Sequence, residues 1–475
     1  MTDSLQPYPA YKDSGQPWLG SVPRHWPVLP NRAIFDEVKD REHPDEEMLS
    51  VTITRGIVSQ ETLLADSSKK DSSNLNKSAY KLVQPRDIAY NKMRAWQGAI
   101  AASDLRGIIS PAYVVMRLRE DANVPRYFHH LYRTPLFAKE AERWSYGITS
   151  DMWSLRPEHF KVIYTPLPPP YDPAAIVRFL DHAHGRIDRA IRAKRKIIAL
   201  LNEQKQAIIH RAVTRGLDPN VSLKPSGIPW LGDIPAHWEV RRLRFCIRGK
   251  LTYGANAAAE FDNPIWPRYL RITDFNGDGS LRPDTFRSLP PEVAKDYLVE
   301  DGDILFARSG ATVGKAFLVR TNTVEACYAG YLIRARPNTS IVIPEYLFSF
   351  TQSTAFLRWK DSIFIKATIQ NIGADKYANL AVPTPSIDEQ QAVLAYIETA
   401  IAPLRTAITN LQRAMALLRE YRTRLSADVV TGKLDVRAAA ASLPATEPVA
   451  SVLSVSPDEP DAADDPALEP EEAEA

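Results

Sequence analysis

Cysteine is almost missing from this chain: two residues, Cys246 and Cys327, in 475. A disulfide framework is excluded, and no CxxC or His/Cys spacing suggests a structural zinc site. No stretch approaches the roughly 18 consecutive apolar residues that cross a bilayer, and the first residues, MTDSLQPYPAYKDSG, lack a basic-then-apolar signal pattern. These absences lead us to expect a soluble protein of a reducing, cytoplasmic compartment. Basic residues are absent after Arg437, where ten acidic residues stand, leaving 59 basic against 47 acidic residues, a net +12, on residues 1–437. The Ala/Pro/Glu-rich segment 438–475 has little that could form a core and reads as a disordered acidic tail. The rest, with 44% hydrophobic residues in the whole chain, is long enough for several domains. Its positive charge permits a polyanionic partner without requiring one.

What is present is a repeat. SGQPWLGSVPRHWPV (14–28) and SGIPWLGDIPAHWEV (226–240) agree at ten of fifteen positions, at an offset of 212. PRDIAYNKMRA (85–95) matches DGDILFARSGA (301–311), aligning Asp87 with Asp303, Ile88 with Ile304 and Lys92 with Arg308. VTRGLD (213–218) recurs as VTGKLD (430–435). Two units of about 217 residues therefore account for the chain up to Asp435.

Each unit begins with short β-rich runs (YVVMRL, DILFA, YLIRA) and turn signals such as Asn276-Gly277, the pattern of a mixed α/β globular domain. A Pro-rich boundary follows, and then a long helix-period segment. Apolar residues fall at Ile176, Leu180, Ile187, Ile191, Ile198, Leu201 and Ile208 in the first copy. Adding 217 gives Val393, Ile397, Leu404, Ile408, Met415, Leu418 and Leu425, again all apolar. Steps of three, four and seven describe a narrow seam of the kind that pairs with another helix. Gly185 and Pro403 oppose an unbroken helix, at about 1 and about 3 kcal/mol, and a kink or break is expected near 400–403. Lys194, Lys205 and Arg422 also fall in the seam and must snorkel or mark its edge. About 42 residues of helix carry the chain about 63 Å, so the second head begins far from the first. Two matching seams are best buried against each other, with a pseudo-twofold axis running the helices antiparallel. The expected layout is 1–165 as the first globular domain, 166–220 as the first helical spacer, 221–383 as the second domain, 384–437 as the second spacer and 438–475 as the tail.

This layout, together with GDILFARSGATVGKAFLV (302–319), TIQNIGADKYANLAVPTPSIDEQQAVLAYIE (368–398) and the paired PWLG..P.HW openings, resembles the specificity subunits of Type I restriction-modification systems over residues 14–435. The resemblance implies a non-catalytic subunit with two target-recognition domains, each reading half of a split asymmetric DNA site. It also implies helices that space them and dock two methyltransferase subunits, with restriction-translocase subunits completing the complex. S-adenosylmethionine, ATP and magnesium are then expected on those partners, with no cofactor or metal on this chain.

Several motifs have alternative readings. GATVGKA (310–316) has three residues between its glycines where a phosphate loop has four, and Ala316 follows Lys315 where a hydroxyl is needed, so it reads as a turn after a strand. Asn263-Pro264-Ile265-Trp266 lacks the second proline of an adenine-methyltransferase motif, and no glycine-rich loop nearby supports an autonomous methyltransferase. Trp18, His25 and Trp26, like Trp230, His237 and Trp238, could stack on bases. Their duplication favours packing, because heads reading different half-sites should differ where they touch bases. Lys92 and Arg94, Arg308 and Ser309, and Lys366, Thr368 and Gln370 lie just outside β-like runs and are the candidate DNA contacts, an ordinary solvated rim being the alternative. Lys92 and Arg308, equivalent in the repeat, suit phosphate positioning. Arg192, Lys194, Arg195 and Lys196 form either a solvated helix face or a track for phosphates or a partner. The rival reading of the whole chain is a coiled-coil scaffold with two protein-binding heads.

Overall fold

The computed structural model describes residues 5–65, 76–147, 153–276, 281–310, 312–320, 325–364 and 371–444, so the acidic tail and Lys366, Thr368 and Gln370 lie outside the described residues. The chain divides into two compact units, one made of residues 1–193 and 414–475, the other of 194–413. The sequence-expected boundaries cut the chain at the helices; the compact units instead cut through them.

In the first unit the central sheet is built from β1 (Phe35–Val38), β3 (Ile88–Asn91), β4 (Ile100–Ala102) and β6 (Tyr113–Leu118). A separate antiparallel pair joins β2 (Lys81–Val83) to β5 (Gly107–Ile109). The sheet runs β1-β6-β3-β4, antiparallel throughout. Helix α1 (Pro125–Tyr132) covers one face and buries Tyr127, Phe128 and Tyr132 with Phe35, Tyr90 and Phe160. In the second unit β7 (Thr252–Tyr253), β8 (Ile304–Ala307), β9 (Ala316–Leu318) and β10 (Leu332–Ala335) form an antiparallel sheet of order β7-β10-β8-β9. The strands that the repeat equates thus occupy the same places in each sheet.

The two long segments are helices α2 (Tyr171–Arg215) and α3 (Ile387–Val430), continuous over 45 and 44 residues. The break expected near Pro403 does not occur. Pro403 and Thr399, whose carbonyl loses its intrahelical donor to the proline, are both exposed, so solvent can take the place of the missing donor. Gly185 likewise leaves α2 unbroken.

Every seam position is covered to some extent. Ile176, Leu180, Ile187, Ile191, Val393, Ile397, Met415 and Leu425 are buried, and Ile198, Leu201, Ile208, Leu404, Ile408 and Leu418 are half-buried. The expected seam is displaced at its ends, where Phe179, Ile209 and Ile401 are buried as well. In the first unit Ile176, Phe179 and Leu180 share a core with Leu425, Val429 and Val430. In the second, Ile209, Ala212 and Val213 share one with Val393, Ile397 and Ile401. Arg422, one of the seam cations, bonds Asp188 at 3.2 Å, and Ser426 bonds His184 at 2.9 Å, so these contacts run in opposite directions along the chain.

That joint contains a pocket of about 200 Å³ lined by His129, His130, His184, Asp181 and Arg126, all within the first unit. Asp181 takes Arg126 at 2.8 Å and His130 at 3.2 Å. Burial, then the neighbouring His130 and Arg422, pushes the His184 imidazole down to about 2, and burial lowers His130 against the pull of Asp181. Both rings are therefore neutral when folded, whereas the unfolded chain takes up protons near pH 6.5. Stability from this joint is complete above that pH and is lost as pH falls below it towards the folded-state value. His184 alone is expected to remove about 2 kcal/mol between pH 7 and pH 5. Urea unfolding midpoints at the two pH values check this, and His184→Gln should flatten the acid limb. An unchanged limb in that variant would assign acid sensitivity elsewhere.

Candidate functional site

The duplicated Trp/His openings are structural. Trp26 is fully buried and its Nε1 donates to Asp172 Oδ2 at 3.2 Å, with His25 Nε2 at 3.3 Å from the same oxygen. Trp238 Nε1 donates to Glu389 Oε1 at 2.9 Å, and His237 Nε2 lies 3.0 Å from Glu389 Oε2. Both carboxylates stand in the first turn of a long helix, where the helix dipole also favours them. The other side of each indole is occupied by the turn ending the opposite long helix. A Cβ on Gly216 would come 3.3 Å from Trp238, and one on Gly432 3.1 Å from Trp26. Both glycines have positive φ, +69° and +75°, which a side chain rarely adopts. Each tryptophan thus clamps the start of one long helix to the end of the other. Sequence reading found the indoles but missed Asp172 and Glu389, although the repeat offset of 217 relates them.

A second equivalent pair fixes the loops that carry the candidate contacts. Asp87, buried at the start of β3, takes Arg117 through two bonds of 2.8 Å and accepts Gln84 N–H at 2.9 Å. Asp303, before β8, takes Arg336 at 2.9 and 3.0 Å and accepts Glu300 N–H at 2.9 Å. The carboxylate in each case ties the strand's entry turn to an arginine on its neighbour, Arg117, or just beyond it, Arg336, which holds the strand in register.

At the far end of each strand stand Lys92 and Arg308. Lys92 is half-buried and its carbonyl accepts Leu155 N–H at 2.8 Å; Arg94 donates to Gln97 Oε1 at 3.0 Å. Arg308 stacks its guanidinium over Tyr253, 5.1 Å from the ring centroid. Its carbonyl accepts Ile372 N–H at 2.9 Å, and Ser309 bridges to Asn371. Tyr253 Oη accepts Ala374 N–H at 3.0 Å, so one tyrosine, not evident from the sequence, holds both the arginine and the segment after residue 370. Asn371 Oδ1 is buried there without a partner. Arg308, Ser309, Tyr253 and Asn371 form one corner of the second unit, while Lys92 and Arg94 belong to the first.

The weaker motifs take their plainer readings. Between β8 and β9, Gly310 and Gly314 have φ +78° and +81°, and Gly314 N–H donates to Ala307 O at 3.0 Å. Asn263 Oδ1 accepts Ile265 N–H at 3.0 Å in a local turn. Cys246 and Cys327 are buried free thiols, raised by burial to about 11 and about 12, which makes them poor nucleophiles. Among the described residues no helix is long and apolar enough to cross a membrane.

Residues 235–416 match the family described as the Type I restriction modification DNA specificity domain. The chain is 23% identical over 361 residues to the Type I restriction enzyme EcoBI specificity subunit of Escherichia coli, covering 74% of each. It is 23% identical over 284 residues to the MjaVIII specificity subunit of Methanocaldococcus jannaschii, covering 58% of this chain and 64% of that one. A chain solved in work on complex assembly and conformational transition of the type I R-M system shares the fold at TM-score 0.59 and 17% identity, over 87% of this chain and 99% of that one. Residues 235–416 thus match a Type I specificity domain, and the chain as a whole is similar to Type I restriction-modification specificity subunits.

Proposed function

We propose that this chain is the non-catalytic address reader of a Type I complex, each head contacting one half of a split, asymmetric duplex site. Helices α2 and α3 pair as an antiparallel coiled coil about a pseudo-twofold axis, set the spacing of the half-sites, and dock two methyltransferase subunits and the restriction subunits. S-adenosylmethionine, ATP and magnesium reside on those partners. The observation that carries this reading is that two units with one strand order present a cation, Lys92 or Arg308, at the same strand end. Equivalent cations suit the phosphates common to both half-sites, and specificity then falls to the residues that differ between heads. The opposed contacts His184–Ser426 and Asp188–Arg422 support the antiparallel pairing.

Methylome sequencing of cells carrying the neighbouring methyltransferase subunit, with and without this chain, tests the reading. A split methyladenine motif is expected only when the chain is present, and exchanging residues 1–165 should alter one half of it. An active, assembled methyltransferase whose motif ignores the chain would favour the scaffold with two protein-binding heads. Arg308→Ala is expected to weaken binding to any duplex and to lower the salt slope by about one. Unchanged affinity and slope would remove Arg308 from the contacts.

A further inference from the structure

The first unit holds a cation that none of the assigned roles uses. Lys81, in β2, is 7% exposed, and its ammonium donates to the carbonyl of Tyr113. Tyr113 is the register partner of Asn91 across β6 and β3, so the ammonium sits one residue from Lys92. Leu82 N–H donates to Asp40 O at 2.8 Å, which brings the segment after β1, carrying Lys39 and Arg41, alongside. The nearby carboxylates are committed elsewhere. Glu37 takes Lys161 at 2.8 Å and Lys39 at 3.5 Å, and Asp40 takes His43 at 2.9 Å. Among the described residues no carboxylate pairs with Lys81, Lys92 or Arg41. Burying a charge without a counter-ion, beside like charges, is costly, and the cost is relieved when an anion arrives.

We propose that Lys81, with Lys92 and Arg41, forms an anion site in the first head that takes one backbone phosphate of duplex DNA. The assignment rests on the DNA-recognition reading above and adds to it a contact that the second head lacks, where the repeat places Tyr297 instead of a lysine. Burial, and then Lys92, Arg41 and Lys39, holds the Lys81 ammonium down to about 8, with Glu37 opposing. A phosphate reverses the like-charge contribution, so the site takes up a proton as DNA binds at pH 8 and above.

The experiment measures the affinity of the full chain, assembled with its methyltransferase subunits, for a 30-base-pair duplex by fluorescence anisotropy across pH 7–9.5 and a range of salt. Wild type is compared with Lys81→Met and Lys81→Arg. Lys81→Met is expected to weaken binding about tenfold for any sequence and to reduce the salt slope by about one. Wild type should lose affinity above about pH 8, approaching the Lys81→Met value, about tenfold in all. Lys81→Arg should retain binding at pH 7 and lose that alkaline limb, a result that a merely structural lysine would not give. Superimposable pH profiles for wild type and Lys81→Arg, or an unchanged salt slope in a folded Lys81→Met, overturn the site while leaving DNA recognition standing. Competition by millimolar inorganic phosphate that depends on Lys81, without any effect of Lys81→Met on duplex binding, would assign the site to a free anion and likewise overturn it. If wild type binds no duplex at all, the recognition reading falls and this site falls with it.

Discussion

Trp238→Ala is expected to cost about 3–5 kcal/mol in the second unit, and Trp26→Ala about the same in the first. Each indole is at most 1% exposed, so truncation opens a cavity the size of the ring. It also strands a carboxylate, Glu389 or Asp172, that accepted the indole N–H. The two long helices lose a common stop as well, since Gly216 and Gly432 pack on the same rings. Trp238→Phe separates these contributions. It keeps most of the apolar volume and gives up the hydrogen bond, so about 1–2 kcal/mol of the loss should remain. Urea unfolding followed by far-UV circular dichroism reads both variants. A Trp238→Ala chain within about 1 kcal/mol of wild type would mean that the helix ends are held by something other than this clamp.

Arg336→Ala should cost about 3 kcal/mol, and Arg117→Ala about the same in the other unit, because each leaves a buried carboxylate with a backbone N–H as its remaining donor. The arginines are themselves partly exposed, 26% and 39% at the side chain, which keeps the expected loss at the lower end for a broken buried pair. Removing both partners at once, as Asp303→Ala with Arg336→Ala, should cost less than Arg336→Ala and Asp303→Ala added together. Additive losses in that cycle would show that the two side chains act independently. The functional consequence is separate from stability. A loosened β8 entry turn should spread the orientations of Arg308 and weaken duplex binding even at temperatures where the chain stays folded.

The repeat made much of this legible. The offset of 217 located both helices to within a few residues, because apolar spacing is a property of the helix surface and survives divergence. The same comparison foretold that Trp26 and Trp238 are packing residues. It failed at Pro403, where a local rule was applied without knowing which way the affected carbonyl faced; exposure, invisible in one dimension, decides whether water can replace the lost donor. It failed also for partners distant in sequence. Asp172 lies 146 residues from Trp26, and nothing in the spacing of either announces the bond. At the candidate site the cations Lys92 and Arg308 were proposed from their position after a strand, whereas Tyr253 and Lys81 were not singled out. Their importance comes from which strand lies beside which, and short strands of two to four residues carry almost no register information of their own.

The division of the chain into 1–193 with 414–475, and 194–413, bears on how the protein is made. A ribosome delivers residues in order, so the second unit has all its parts once residue 413 has emerged, while the first still waits. Leu425, Val429, Val430 and Val436 belong to the core of that first unit and are among the last core residues synthesised. The head translated first is therefore completed last, and until then the core around Ile176, Phe179 and Leu180 lacks the apolar side chains contributed from 425–440. Translation that stalls before residue 414 would release one finished head and one unfinished one, the latter open to aggregation and proteolysis.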